Sequence, residues 1–226
     1  KYIANQDKEM GLETVGKSYY QKFKLGVNTF PKKMRLILDQ DTLEPGVDFI
    51  IHAKSPKIKG DFSIINIDIE KLADENYLKT IFNPNLSANS IFKLVQPKTL
   101  NRDTLRLYYG LVQELQEIRP VLLFTGSKFT WSVGRSVQKN AVFEVKSKYS
   151  SAKNASIAVD QKFVANYKTQ NVLGFLPAKS KTNKTMVICG HYDHLGRMGK
   201  DTYFPGANDN ASGITMILKL AAHFTA

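Results

Sequence analysis

Two short stretches concentrate the side chains able to do chemistry. They are Cys189-Gly190-His191-Tyr192-Asp193-His194-Leu195-Gly196 and Pro205-Gly206-Ala207-Asn208-Asp209-Asn210-Ala211-Ser212-Gly213. Imidazole nitrogen and carboxylate oxygen both suit zinc, a borderline-soft cation. His191 and Asp193 share a face if strand geometry runs through them. The Asp193 carboxylate would then take the second ring N–H of His191, fixing its tautomer and raising its basicity. Asp209 falls at the start of a predicted helix, where the positive dipole end favours a carboxylate even without metal. Asn208 reads as the N-cap. Gly206 and Gly213 bracket the loop and permit close backbone approach. Alone, a His-x-Asp pair at a strand end is more often a solvent-facing polar pair than a metal site. The two stretches in tandem put the metal reading on level terms with the structural one. His194 reads as a solvated neighbour or supporting partner rather than a ligand. His52 and His223 have no motif around them and read as structural.

These side chains need elements to hold them. Thr185 to Cys189 is a continuous apolar run, the pattern of a strand covered on both faces. Cys189 would be a buried small hydrophobe within it. His191 then leaves at the carboxyl end, where ligands collect in open α/β sheets. Gly213 to Phe224 reads as a helix apolar over most of its circumference, hence largely buried. Lys1 to Met10 reads as the last turns of a helix stopped by Gly11. From Tyr19 the period becomes two, with Tyr20, Phe23 and Leu25 opening a strand-rich region. Strands are expected at Met34–Leu38, Val47–Ile51, Asp61–Ile69, Val121–Phe124 and Ala141–Val145, with a turn at Glu44-Pro45-Gly46. A helix is expected over Leu105–Ile118, with Leu107, Leu111, Leu115 and Ile118 on one face. Ser156–Val159, Phe163–Tyr167 and Asn171–Pro177 complete the strand list. The order suggests an α/β chain in which residues 1–25 open one domain, a β-rich module over 26–150 is inserted, and 151–226 resume the first domain.

Composition narrows the partners. The 226 residues carry a formal net charge of +12 and 42% hydrophobic residues. Such charge can mark a nucleic-acid or anionic-membrane partner. Here the lysines are scattered through turns and strands, and the densest run, Lys179–Lys184, is a solvated loop. No RNA-binding aromatic signature or zinc-finger spacing accompanies them, so no nucleic-acid partner is expected. No apolar run approaches the roughly 18 residues of a membrane span. One cysteine excludes an internal disulfide framework. Asn-x-Ser/Thr triplets occur at Asn85, Asn154, Asn183 and Asn210, the last of them opening a predicted buried helix. Lys1 stands where Met would begin a chain and no signal-peptide core follows, so an internal or processed boundary is expected.

The His-Tyr-Asp-His-Leu-Gly run after its strand, and the Gly-Ala-Asn-Asp-Asn-Ala-Ser-Gly run after it, resemble the two leading motifs of the M28 family of zinc peptidases. The likeness covers roughly residues 167–224 and extends to the opening helix and Gly11. The β-rich module is loosely similar to the protease-associated domain inserted in many members. The resemblance implies the start of a mixed-sheet α/β/α zinc-peptidase sandwich. It implies that His191 ligates one zinc, that Asp209 bridges two, that Asp193 supports His191, and that the Asp209–Asn210 peptide is cis. It also implies aminopeptidase activity on peptide substrates and a secreted or periplasmic location. The family further needs a later Glu-Glu pair carrying the general base, a later Asp and a later His. None is among these 226 residues, so the chain reads as the front part of such an enzyme, silent by itself. Rival readings are a glutaminyl cyclase-like acyltransferase with one zinc, a non-catalytic peptidase-fold binding protein, and a β-module that is itself the functional unit.

Overall fold

The structure, a computed structural model, describes residues 1–83, 85–96 and 102–226. The chain is mixed α/β and divides into two compact units. One comprises Lys1–Leu25, Ala165–Gly196 and Tyr203–Ala226; the other comprises Gly26–Val164 and Arg197–Thr202.

The second unit is built on an eight-stranded sheet. Its spatial order is Asp41–Thr42, Arg35–Leu38, Asn154–Val159, Ile58–Asn66, Ser90–Val95, Val121–Thr125, Val142–Lys146 and Phe49–Ile51. Ile58–Asn66 through Val142–Lys146 form a parallel block of four, and the flanking pairs are antiparallel. Parallel neighbours need crossovers, and helices Glu75–Ile81 and Arg102–Ile118 fall within two of them. Asp74 caps the first by accepting from the N–H groups of Asn76 and Tyr77. The second buries Tyr108, Val112 and Leu115 against Ile67, Phe92, Leu94, Val121 and Leu123. That stripe is rotated from the expected face: Leu107 and Ile118 are exposed. A stripe that includes the aromatic Tyr108 buries more area than one built on Leu107. Every residue of Val121–Thr125 is buried, as a central strand covered on both faces requires.

Residues 151–164, assigned by sequence to the last domain, lie in this unit. Asn154–Val159 pairs on one side with Arg35–Leu38 and on the other with Ile58–Asn66. Alternating burial along a strand shows that it has two faces but not which sheet it joins. Arg197–Thr202, between the two chemical stretches, also falls here. Met198 is fully buried, its sulfur accepting from the Ile51 N–H, and Thr202 Oγ1 donates to the Pro45 carbonyl at 3.0 Å.

In the first unit, helix Tyr2–Glu9 ends as expected at Gly11, which sits at φ 77°. The Leu12 N–H bonds to the Asp7 carbonyl and the Gly11 N–H to that of Lys8, the paired bonds of a Schellman stop. Glu13–Thr14 pairs with Gly174–Phe175, and Tyr20–Thr29, whose residues 20–25 belong to this unit, pairs with Lys162–Val172; the strand expected at Phe163–Tyr167 runs on to Val172, and the one expected at Asn171–Pro177 is cut to Gly174–Phe175. Two expectations are overturned. Thr185 to Cys189 makes no strand ladder among the described residues, with Met186 83% and Val187 80% exposed, and Cys189 is exposed rather than buried. Helix Ser212–Thr225 has no buried residue. An apolar run states a need for cover; a ladder also needs a partner strand, and none of the described residues provides one.

Candidate metal centre

His191 and Asp209 come together within the first unit. The backbone carbonyl of Asp193 lies 2.8 Å from His191 Nδ1. A carbonyl only accepts, so Nδ1 carries the hydrogen. In the neutral ring this leaves the lone pair on Nε2, and Nε2 is 3.1 Å from Asp209 Oδ1. His194 repeats the arrangement: Nδ1 is 2.9 Å from the Phe204 carbonyl, and Nε2 is 3.8 Å from Asp209 Oδ2. Two imidazoles are thus anchored to main-chain carbonyls with their second nitrogens directed at one carboxylate. A lone pair facing a carboxylate oxygen is repulsive, and a proton or metal cation between them relieves it. The His191 pKa is raised, first by the Asp193 carbonyl and then by the charges of Asp209 and Asp193. Both partners are more than half exposed, so as a bare ion pair they contribute little stability.

The Asp209 loop is held by packing and backbone bonds. Asp209 lies in a distorted turn, Ala207–Ala211, at φ −115° and ψ 91°, and its peptide bond to Asn210 is cis, as the resemblance implies. The Ala211 N–H closes the turn on the Gly206 carbonyl at 3.1 Å. A Cβ on Gly206 would fall 2.5 Å from His194 Cβ, so glycine is needed for His194 to sit against this loop. The following helix starts at Ser212, behind Ala211, with no side-chain cap. Asn208 is therefore not the N-cap; its carbonyl instead accepts from Ser212 Oγ at 2.7 Å.

The role expected of the Asp193 carboxylate is taken by its main chain. Oδ1 is 3.6 Å from His191 Nδ1, outside hydrogen-bond range, and the side chain is 85% exposed. The expectation assumed strand geometry through residue 193, and the chain is not a strand there. The Tyr192 hydroxyl donates to the Gln170 carbonyl, fixing the intervening residue. His194 was placed as a neighbour by sequence, but its tie to Phe204 had no sequence signal, because backbone carbonyls carry no residue identity. Among the described residues no group of three His, Cys, Asp or Glu side chains is arranged to hold a metal ion. His52 bonds to Glu144 at 2.9 Å, and His223 packs edge-on against Phe224.

Residues 171–226 match the model of peptidase family M28. The matched segment contains His191, Asp193, His194 and Asp209. No curated protein matches the chain. Among solved structures, the chain is similar to an aminopeptidase from Aneurinibacillus sp. strain AM-1, at TM-score 0.62 and 20% identity over 99% of this chain and 52% of that one. It is also similar to a peptidase M28 precursor from Shewanella amazonensis SB2B, at TM-score 0.58 and 11% identity over 99% of this chain and 53% of that one. The likeness is one of fold, and this chain spans about half the length of each structure.

Proposed function

We propose that this chain is part of a zinc-dependent aminopeptidase, with His191 and Asp209 as metal ligands and the N-terminal residues of peptides as substrate. The observation that carries the reading is the approach of His191 Nε2 to the Asp209 carboxylate while Nδ1 is held by a backbone carbonyl. With Nδ1 committed to the Asp193 carbonyl, His191 presents Nε2 as a donor 3.1 Å from the Asp209 carboxylate. That donor set, one imidazole and one carboxylate on a loop that excludes a Cβ at Gly206, fits zinc. The M28 match over the same residues supports the class.

In this reading the Asp193 carbonyl orients His191 and raises its basicity. Asp209 would supply carboxylate oxygen and the neutralising charge to a metal held there. His194, anchored to Phe204, presses on Gly206 and holds the loop that presents Asp209. A zinc held by these residues would supply Lewis acidity for activating a water and polarising a scissile carbonyl. Stable zinc sites use three or four protein ligands, so the 226 residues alone hold zinc weakly and do not turn over substrate.

The test is hydrolysis by the natural gene product of a panel of aminoacyl 4-nitroanilides. The reading expects activity that a chelator removes, zinc restores and Asp209→Ala abolishes. A cooperatively folded, zinc-loaded protein that releases no amino acid from any substrate contradicts it.

A further inference from the structure

Helix Tyr2–Glu9 buries Ala4 and Asp7 and half-buries Ile3 and Met10. Steps of one, three and three residues place these four on one helical face. Three of them are apolar and the fourth is a carboxylate. Asp7 is 6% exposed, as little as Ala4 at 5%. A Cβ on Gly174 would fall 3.2 Å from Asp7 Oδ2, so strand Gly174–Phe175 lies directly against the carboxylate.

Ionised, this carboxylate is opposed in three ways. Burial strips most of its water. Among the described residues none donates a hydrogen bond to it. It stands in the last turn of its helix, where unmet carbonyls form the negative dipole end. A proton relieves all three, and burial accordingly raises the Asp7 pKa. The ionisable groups on the elements around it are Lys1, Lys8 and Glu9 on the same helix, Glu13 and Tyr19 in the chain that follows, and Lys219 and His223 on helix Ser212–Thr225, which packs on it. None of them offsets the burial, and the Tyr19 hydroxyl is spent on the Leu12 carbonyl.

We propose that Asp7 is a proton latch for this helix: the neutral acid seats the last turn against Gly174, and its ionisation loosens that turn. The folded state binds this proton more readily than the unfolded state. The stabilisation is therefore complete below the ordinary value of 3.8 and is lost as pH rises through the raised one. The latch lies wholly in the first unit and does not depend on the metal reading.

The test is an NMR pH titration of the 226-residue chain. The carbon-13 shift of the Asp7 carboxyl gives its midpoint, which should lie above 3.8. Hydrogen exchange reads the latch at the amides of Met10, Gly11 and Leu12, which close the last turn on the carbonyls of Gln6, Lys8 and Asp7. Their protection, corrected for the intrinsic pH dependence of exchange, should fall as pH rises past that midpoint. In Asp7→Asn, a neutral isostere that fits the same space, it should stay level. At neutral pH the variant should be about fivefold or more better protected, the lower end of the cost of an unmet buried polar group. Every other titration of the chain persists in the variant, so the difference isolates Asp7. A midpoint at or below 3.8, protection that follows pH alike in parent and variant, or a variant no better protected at neutral pH overturns the proposal.

Discussion

Val121–Thr125 and Thr185–Cys189 are both short apolar runs, and the sequence presents them as the same kind of strand. In the structure they part. The first is buried at every residue, between parallel neighbours Ser90–Val95 and Val142–Lys146. The second pairs with nothing among the described residues and exposes Met186 and Val187 almost fully. Hydrophobicity alone does not decide burial; ladder partners do. Chemistry divides the other way. His191 and Asp209 belong not to the buried sheet but to loops held by carbonyl hydrogen bonds and one tight glycine contact.

The largest expected effect lies in the sheet. Phe143 is fully buried and packs against Phe49 with ring centroids 6.1 Å apart. Phe143→Ala should cost about 3–5 kcal/mol in denaturant unfolding of the second unit. A cost below about 1 kcal/mol would mean that its sheet is not the packed core described.

Gly206→Ala comes next. It should leave unfolding of the second unit unchanged but weaken cobalt uptake by the first about tenfold, the lower range for a disturbed supporting contact. Dialysis showing equal cobalt content in variant and parent would remove the loop contact from the account.

Acid separates the regions more gently. Partial desolvation opposes the ionisation of Asp39, but N–H groups of Asn154 and Lys153 donate to it and lower its pKa. The folded state therefore binds this proton less readily than the unfolded state. The stabilisation is complete above the ordinary value of 3.8 and is lost as pH falls through the lowered one. Asp39→Asn should flatten that acid limb, read from melting temperatures of the second unit. Asparagine tolerates the residue's positive φ of 50°, so the backbone need not change. An unchanged limb would place the acid sensitivity elsewhere.

The smallest effects are expected on the exposed surface of the first unit. Met216→Ala should shift stability by within about 0.5 kcal/mol, because the side chain is exposed. Asp193→Ala should leave cobalt affinity nearly unchanged, because the main-chain carbonyl holds His191. A loss of about 10–100-fold would return the role to the carboxylate.

Local signals were legible where one residue settles a conformation. Gly11 stops the first helix, and Glu44-Pro45-Gly46 turns the chain, with Gly46 at φ 84°. The two runs that carry His191 and Asp209 leave a metal reading level with a structural one, and it is their resemblance to the M28 motifs that pairs the two residues. Pairing was less legible. Residues 154–159 alternate like any half-buried strand, and nothing in their composition assigns them to the sheet of the second unit. Ser90–Val95 is not among the strands the sequence predicts, although Ile91, Phe92 and Leu94 are buried and the parallel order of the four central strands depends on it. The Arg102–Ile118 helix was found but turned to the wrong face, because Leu107 and Tyr108 compete as neighbours and only the packed partner chooses. The carbonyl anchors of His191 and His194 depend on loop path, which side-chain types do not encode.

The central claim is that His191 and Asp209 form a metal-binding pair, and paramagnetic NMR of the chain with cobalt(II) standing in for zinc tests it most directly, because weak sites still broaden their neighbours. The account predicts broadening centred on residues 190–194 and 206–212 at low cobalt, lost in both His191→Ala and Asp209→Ala. Broadening that persists in both variants, or that centres on Asp39 and Asp61 in the other unit, would contradict it.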